Sequence, residues 1–338
     1  MVSTSICSPM ENILIIRLKA IGDVIQTLPA VHAVRENFPA AKITFLTSKE
    51  NTPLLLGFRD VDEVIGLDRA TLRGGNPFRV LPVFINLLRR LRAGNFSLVI
   101  DLQGYGETAW LTWFSGAPQR WRGIHGAGRN WAYTRHAKPG SEAHGAQWHR
   151  RLLEQCGLKI GTARNEFLLP QSALDDARIW FANHRLDPTK PTIYIQPFTS
   201  SADKNWPLEN YLTIAQHWQR CGVQIVVGGG PSDVAALEPV RRAGFTVSAG
   251  VSLLVTGGLM QLSTLVLGGD TGALHLAVAQ GKRVLMLMQE VTSASPIPFQ
   301  HPDWVLAPNS GGIAGISVAE VNAAVAQILS SPAGNVSC

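Results

Sequence analysis

The sequence predicts an α/β protein made of two successive doubly wound domains, each built on a parallel sheet. At 338 residues the chain is too long for one compact hydrophobic core. Short apolar runs rich in β-branched residues alternate with helical patterns, which is typical of βαβ units. This alternation restarts near residue 170, so we place the domains at residues 11–168 and 169–330.

The first domain begins with a predicted buried strand at 13–16, which a Gly-Asp turn connects to a helix. Further strands are predicted at 43–46, 63–66 and 98–101. Residues 82–92 form an amphipathic helical pattern with one apolar face. Its inward side chains are Phe84, Leu87, Leu88 and Leu91, and its outward ones are Arg89, Arg90 and Arg92.

The second domain repeats the alternation of strands and helices. Strands are predicted at 192–195, 224–227, 265–267 and 283–287, and helices at 174–184, 208–220, 272–280 and 318–329. Ligands of such sheets bind beyond the carboxyl ends of the strands. We therefore expect the functional site at these ends, in a cleft between the two domains.

The net charge of +6 is concentrated in residues 120–151, which contain seven Arg or Lys residues and one acid, Glu142. Such a segment is either a solvated loop or a site for an anionic partner. Four aromatic residues are interleaved with the arginines, which leaves a nucleic-acid-binding module open as an alternative. They are Trp121, Trp131, Tyr133 and Trp148.

Four segments that follow predicted strands carry the side chains of a candidate site. The first contains Arg17, Gly22 and Asp23. Gly22 allows a ligand to approach the backbone closely. Asp23 is either a cap of the following helix or a general base that takes a proton from an attacking hydroxyl group.

The second segment, residues 196–207, combines the hydroxyl groups of Thr199 and Ser200 with Lys204. Hydroxyl donors and a lysine in one turn suit the oxygens and the charge of a diphosphate. The alternative is an ordinary turn with a solvated lysine. The third segment is a glycine run at 228–230 followed by Asp233, whose carboxylate either binds a ribose or base or caps a helix.

The fourth segment is Asp270-Thr271-Gly272, with His275 one helical turn later. The free N–H groups at a helix start favour anions, so Thr271 and Gly272 are expected to meet a diphosphate. Asp270 would be repelled by that group and is expected to bind sugar hydroxyls. A core position is the alternative for His275.

Two classes of site are disfavoured by the same segments. None of them matches G-x-G-x-x-G or the Walker A pattern, which argues against a dinucleotide-dependent dehydrogenase. No cluster of His, Cys and Asp has the spacing of metal ligands, so no metal is expected.

Taken in order, these segments resemble glycosyltransferase family 9, the heptosyltransferases of lipopolysaccharide core synthesis, over roughly residues 11–330. The motifs that carry the resemblance are Arg17, Gly22-Asp23, Leu28-Pro29-Ala30, then Thr199, Ser200, Lys204, Trp206-Pro207, and last Asp270-Thr271-Gly272 with His275.

The resemblance implies the GT-B architecture, two Rossmann-like domains with a cleft between them. It also implies metal-independent, inverting transfer of heptose from ADP-heptose to a Kdo or heptose residue of the lipopolysaccharide inner core. In this interpretation Asp23 is the catalytic base. The donor ligands are Thr199, Ser200, Lys204, Asp233, Asp270, Thr271, Gly272 and His275. The predicted acceptor ligands in the N-terminal domain are Arg17, Gly22, Arg120 and Arg122.

The implied partners are a nucleotide sugar and an anionic lipopolysaccharide core, and nucleic acid is not expected as a partner. Because the nucleotide sugar is a co-substrate, no cofactor is expected. The first ten residues lack the features of a signal peptide, and no apolar run has the length of a membrane span. We therefore expect a cytoplasmic protein. The arginines at 89, 90 and 92 add the expectation of peripheral contact with the inner membrane at its cytoplasmic face.

The sequence departs from the family at three places. Ala20 stands where members often carry Ser, and Gln196-Pro197-Phe198-Thr199 replaces a glycine-rich start. Residues 288–292 replace a Phe-Gly-Pro-Thr type of loop beside the donor. Two alternatives therefore stay open: a GT-B transferase with another nucleotide sugar or acceptor, and a non-catalytic protein that binds a nucleotide.

Overall fold

The structure is a computed structural model that describes residues 11–74, 76–123, 129–138, 144–292, 295–308 and 311–330. The chain divides into two compact units, Met1–Asn165 and Glu166–Cys338. Each unit contains one six-stranded sheet whose strands pair in parallel, which confirms the predicted α/β class.

The N-terminal unit contains the following elements. Its strands are β1 (Asn12–Ile16), β2 (Lys42–Ser48), β3 (Glu63–Leu67), β4 (Leu98–Asp101), β5 (Gln119–Gly123) and β6 (Arg135–Ala137). Its helices are α1 (Ile21–Ile25), α2 (Leu28–Asn37), α3 (Arg69–Arg73), α4 (Pro77–Ala93), α5 (Gly106–Phe114) and α6 (Gly145–Gln155), with 3₁₀ helices at Lys49–Gly57 and Asn130–Ala132. The strand order is β3-β2-β1-β4-β5-β6.

The C-terminal unit contains the remaining elements. Its strands are β7 (Thr192–Gln196), β8 (Gln224–Gly229), β9 (Thr246–Ala249), β10 (Leu265–Gly269), β11 (Val284–Leu287) and β12 (Val305–Leu306). Its helices are α7 (Gln171–Asn183), α8 (Leu208–Arg220), α9 (Glu238–Arg242), α10 (Leu253–Leu262), α11 (Gly272–Ala279) and α12 (Val318–Leu329), with 3₁₀ helices at Ala202–Lys204, Pro231–Asp233, Pro302–Trp304 and Ile313–Gly315. The strand order is β12-β11-β10-β7-β8-β9, which has the same connectivity as the first sheet.

Burial explains why the central strands were predictable. The apolar residues of β1, from Ile13 to Ile16, are fully buried, as expected for a parallel strand covered on both faces. Helix α8 buries residues at helical spacing against its sheet, and the largest of them are Tyr211 and Trp218. The indole N–H of Trp218 donates to Oδ1 of Asn322 at 3.0 Å, so this buried polar group has a hydrogen-bond partner.

The strand order creates a topological switch point in each sheet. In the first sheet β1 and β4 pair side by side, but the chain continues from β1 towards β2 and from β4 towards β5. In the second sheet β7 and β10 stand in the same relation. A crevice for ligands opens where connections diverge in this way. Each switch point is therefore the place to look for a site within its own unit.

Most described residues of the basic segment belong to helices and strands. They form β5, the 3₁₀ helix at Asn130–Ala132, β6 and α6, so a solvated loop is the wrong interpretation for these parts. Residues 124–128 and 139–143, which include Glu142, lie outside the described residues. None of the helices that the structure describes is both long and apolar enough to cross a membrane.

Candidate functional site

One candidate site lies in the N-terminal unit, where β1 and β4 end side by side. Arg17 follows β1, and its Nη1 donates to the carbonyl oxygen of Leu102 at 2.7 Å. The amide of Leu18 donates to Oε1 of Gln103, also at 2.7 Å. These two bonds join the segments that follow the two strands, so Arg17 lies at the switch point of the N-terminal sheet.

Asp23 lies in the first turn of α1, next to Arg17. Its Oδ2 accepts from the amide of Ala20 at 2.9 Å and pairs with Nη2 of Arg17 at 2.7 Å. The other oxygen, Oδ1, forms no hydrogen bond to the described part of the chain, and the side chain is 44% exposed. Asp23 therefore caps the helix with one oxygen, and its role as the base stays a prediction. Gly22 lies beside it within α1, so the predicted turn is already helical from Ile21.

A buried carboxylate, which sequence reasoning missed, supports this switch point. Asp101 ends β4 with no exposure, and it accepts from the amides of Gln103 at 2.9 Å and Gly104 at 2.8 Å. The hydroxyl of Tyr133 donates to it at 2.6 Å. Burial raises the pKa of Asp101 in spite of these hydrogen bonds, which lower it. The only sequence signal was an acid at the end of an apolar strand, directly before Gln103 and Gly104.

Arg120 and Arg122, predicted as acceptor ligands, are used inside the N-terminal unit. Arg122 is only 2% exposed, and its guanidinium lies 4.8 Å from the centre of the Tyr133 ring. The guanidinium of Arg120 donates to the carbonyl oxygens of Ala132 and Ala117. Side chains held in this way are not presented to a large anionic ligand, so the geometry gives no support to their predicted role.

The nucleic-acid alternative loses its basis for a related reason. Of the four aromatic residues interleaved with the arginines, Trp121, Tyr133 and Trp148 are buried, and only Trp131 is well exposed. Buried rings cannot stack on bases.

A second candidate site lies in the C-terminal unit, where β7 and β10 end side by side. Nζ of Lys204, in the loop after β7, pairs with Oδ2 of Asp270 at 3.1 Å. Nε2 of His275 lies 3.2 Å from Oδ1 of the same carboxylate. Asp270 thus lies between Lys204, which is 45% exposed, and His275, which is buried. The structure brings these three predicted donor ligands together.

The other predicted donor ligands of this switch point lie in the segments that follow β7 and β10. Thr271 is the N-cap of α11, and its Oγ1 accepts from the amide of Leu274 at 3.3 Å. Gly272 is the first residue of the helix, where backbone N–H groups have no intrahelical partner. Thr199 is already engaged, because its Oγ1 donates to the carbonyl oxygen of Ser201 at 2.7 Å, whereas Ser200 is exposed.

Two glycines allow the ends of β7 and β10 to approach each other. A Cβ atom on Gly268 would lie 2.4 Å from the carbonyl oxygen of Gln196. A Cβ atom on Gly269 would lie 2.7 Å from Cγ2 of Thr199. Neither space admits a side chain, so Gly268 and Gly269, which directly precede Asp270, serve strand packing.

Asp233 has a local role in the structure. Its Oδ2 accepts from the amide of Gly230 at 2.8 Å, and its Oδ1 lies 3.2 Å from the hydroxyl of Ser232. The carboxylate therefore caps its own 3₁₀ turn, which was the alternative interpretation of this residue. Its contact with a nucleotide stays a prediction.

A cavity of about 210 Å³ adjoins the Lys204–Asp270 pair within the C-terminal unit. Its other walls are formed by Leu287, Met288, Gln289, Glu290, Thr292, Ser295 and Pro296. The segment that departs from the family pattern in the sequence, residues 288–292, is therefore a wall of this cavity. Among the described residues no group of three or more His, Cys, Asp or Glu side chains is placed to hold a metal ion.

The Asp270 carboxyl should make stability depend on pH. Burial alone would raise its pKa, but His275 and Lys204 outweigh burial and hold the pKa of Asp270 below its usual range. Such a group stabilises the fold fully above the unfolded pKa of about 3.9, and this stabilisation is lost as the pH falls through the lower folded pKa. We therefore expect the free energy of unfolding to fall more steeply with acidification in the wild type than in Asp270→Asn.

Urea unfolding at a series of pH values below about 5 measures this difference. Asp176→Asn, at an exposed position on α7, is the matched control and should retain the slope of the wild type. Equal slopes for the wild type and Asp270→Asn would show that the ion pair contributes nothing to folding.

Comparison with known proteins places the chain in a family. Residues 84–296, more than half of the chain, match the model of glycosyltransferase family 9 (heptosyltransferase). Lipopolysaccharide heptosyltransferase 3 of Escherichia coli strain K12 is 23% identical over 280 residues, covering 79% of this chain and 79% of that protein. Lipopolysaccharide core heptosyltransferase OpsX of Haemophilus influenzae is 22% identical over 307 residues, covering 88% of this chain and 84% of that protein.

Solved structures show the same fold. A family 9 glycosyltransferase from Veillonella parvula has a TM-score of 0.86 at 21% identity, covering 97% of this chain and 100% of that one. The Escherichia coli heptosyltransferase WaaC with ADP has a TM-score of 0.76 at 18% identity, covering 94% and 99%. These likenesses confirm the predicted GT-B fold class. The family predicted from the motifs is confirmed as well: the chain is a glycosyltransferase and belongs to glycosyltransferase family 9.

Proposed function

We propose that this enzyme transfers heptose from ADP-heptose, with inversion, to a Kdo or heptose residue of the lipopolysaccharide inner core. The observation that carries the proposal is the Lys204–Asp270 ion pair at the switch point of the C-terminal sheet, beside a cavity and the start of α11. The names of the relatives support the sugar and the acceptor, because both relatives are lipopolysaccharide heptosyltransferases.

In this proposal the C-terminal unit holds the donor. Lys204 and the N–H groups at the start of α11 stabilise the negative charge that develops on the diphosphate as the sugar leaves. Asp270 holds Lys204 and His275 in place and accepts hydrogen bonds from sugar hydroxyls, since its charge would repel the diphosphate. The loop 288–292, as a wall of the cavity, contributes to the choice of sugar.

The N-terminal unit supplies the base in the proposed reaction. Oδ1 of Asp23 takes the proton of the acceptor hydroxyl while that oxygen forms the new bond to the anomeric carbon and the bond to the diphosphate breaks. A single carboxylate acting from the side of the acceptor gives inversion in one displacement. Arg17 holds the other oxygen of Asp23 and orients the carboxylate.

The nucleotide specificity can be tested by binding. We expect ADP to raise the melting temperature more than UDP or GDP does, because a ligand that binds only the folded state stabilises it by mass action. Turnover is then measured with ADP-heptose and with other ADP- and UDP-sugars, using a deacylated lipopolysaccharide that ends in Kdo or heptose as the acceptor. We expect release of ADP only with ADP-heptose and the acceptor together.

A second candidate within the same family is transfer of another sugar. The unusual wall at 288–292 favours it. Equal stabilisation by UDP or GDP would overturn the adenine assignment, and turnover of a different ADP-sugar would overturn the heptose assignment.

A further inference from the structure

An exposed apolar stripe on α4 takes no part in the candidate site. Phe78, Leu81 and Ile85 are 89%, 58% and 36% exposed. Side chains three and four positions apart lie on the same face of a helix, so the three form one continuous stripe. Leu87 and Leu91, in the second half of α4, are buried as the sequence predicted, so the exposed stripe is separate from the residues that pack the helix onto its unit.

A group of tryptophans lies next to α4. Trp110 and Trp113 of α5 and Trp131 of the following 3₁₀ helix are each about half exposed, and the ring centres of Trp110 and Trp131 are 4.5 Å apart. Phe114 stacks on Trp110 at 5.7 Å and contacts Phe84 of α4 at 6.2 Å. We refer to the stripe and this ring group together, Phe78, Leu81, Phe84, Ile85, Trp110, Trp113, Phe114 and Trp131, as the aromatic face.

The aromatic face is not flat. A recess of about 410 Å³ is lined by Phe84, Trp110 and Phe114 and by leucines of β3, α3, α4 and α5, with Glu107 as its polar residue. Large contiguous apolar patches are uncommon on the surface of monomeric proteins and mark sites of interaction.

Exposed arginines lie beside the stripe on α4. Arg79 and Arg89 belong to α4 itself, and Arg73 ends the preceding helix α3. The acid that lines the recess, Glu107, is already paired with Arg69 at 2.9 Å. By contrast, the exposed side chains of Arg73, Arg79 and Arg89 form no ion pair within the described ranges. The face therefore combines exposed aromatic rings with unpaired positive charge.

We propose that the aromatic face docks this protein on an anionic bilayer, with α4 lying along the headgroup region. The acyl region accepts Phe78, Leu81 and Ile85, and the tryptophans take the interfacial position that their amphipathic rings favour. Arg79 and Arg89 then meet lipid phosphates, which supply counter-ions for these exposed side chains. This complementarity of charge and apolar surface distinguishes a bilayer from an uncharged protein partner.

Flotation of the full-length protein with phosphatidylcholine vesicles, with and without phosphatidylglycerol, tests the proposal. We expect the protein to float with phosphatidylglycerol vesicles, and less so as the salt concentration rises. The variant Phe78→Ser/Leu81→Ser/Ile85→Ser should reduce the partition coefficient by about tenfold or more, because binding scales with buried apolar area. Ile179→Ser, a 59% exposed position on α7 of the other unit, is the matched control and should bind like the wild type.

A second measurement needs no variant. Acyl chains labelled with bromine should quench the tryptophan fluorescence of the wild-type protein when phosphatidylglycerol is present. The proposal is overturned by an absence of both flotation and quenching, or by equal flotation of the triple variant. It is also overturned if the wild type sediments as a dimer that the triple variant disrupts, since the face would then join two copies of the chain. None of these outcomes depends on which sugar is transferred.

Discussion

Replacing Asp23 with Asn should lower kcat by about 100- to 10,000-fold while the protein still folds and binds its donor. The amide retains a carbonyl oxygen that can accept from the Ala20 amide, so the start of α1 keeps its cap. What the variant loses is the carboxylate whose Oδ1 is free to accept a proton. Steady-state kinetics with saturating donor and acceptor, together with the melting temperature, separate the two roles of this residue.

Asp68→Asn is the matched control for this experiment. Asp68 is also a carboxylate at a helix start in the N-terminal unit, where it accepts from the amide of Thr71 at 2.9 Å, but it lies outside the candidate site. The Asp68→Asn variant should keep its activity, and its free energy of unfolding should fall by a few tenths to about 1 kcal/mol at most. If Asp23→Asn also keeps activity within a few-fold of the wild type, Asp23 is a helix cap and the base must be sought elsewhere.

Replacing Lys204 with Ala should lower kcat by roughly 100- to 1,000-fold, the usual effect of removing one group that stabilises charge in a transition state. The increase in melting temperature caused by ADP should also become smaller, because the diphosphate loses its cation. The variant leaves Asp270 without its lysine partner beside the cavity, so the carboxylate repels the diphosphate in addition to the loss of attraction.

Lys190→Ala controls for loss of a positive charge in the same unit. Lys190 precedes β7, whereas Lys204 follows it, so the two lysines lie at opposite ends of one strand. Both ADP stabilisation and turnover should be unchanged in Lys190→Ala. If Lys204→Ala is stabilised by ADP as strongly as the wild type, the diphosphate does not bind at the end of β7.

The sequence predicted those strands that are marked by a continuous apolar run in their own residues. Continuous β-branched runs identify central parallel strands such as β1, because both of their faces are buried. In contrast, β5 and β6 were not predicted, since Gln-Arg-Trp-Arg-Gly and Arg-His-Ala contain few apolar residues. β5 is held by pairing with β4, β6 by pairing with β5, and Arg122 of β5 is buried against the Tyr133 ring; these interactions bring together separate parts of the chain.

The candidate site was predictable as a set of motifs but not as a set of contacts. Lys204 and Asp270 are 66 positions apart, and their ion pair exists because β7 pairs with β10. In the same way Gln103 reaches the backbone of Leu18 only because β4 pairs with β1. Residues of this kind carry no local signature, which explains why Gln103 and Asp101 were missed.

The tight approach of the strands at Gly268 and Gly269 has a consequence for choosing positions in a specificity-altering library. Backbone and methyl groups fill the space where a side chain would begin at these two positions. Glycine is therefore required there by the packing of the sheet and does not determine which sugar is bound. Randomising them would mainly return unfolded variants. Diversity is better introduced at Met288, Gln289 and Thr292, whose side chains border open volume and leave the strand pairing intact.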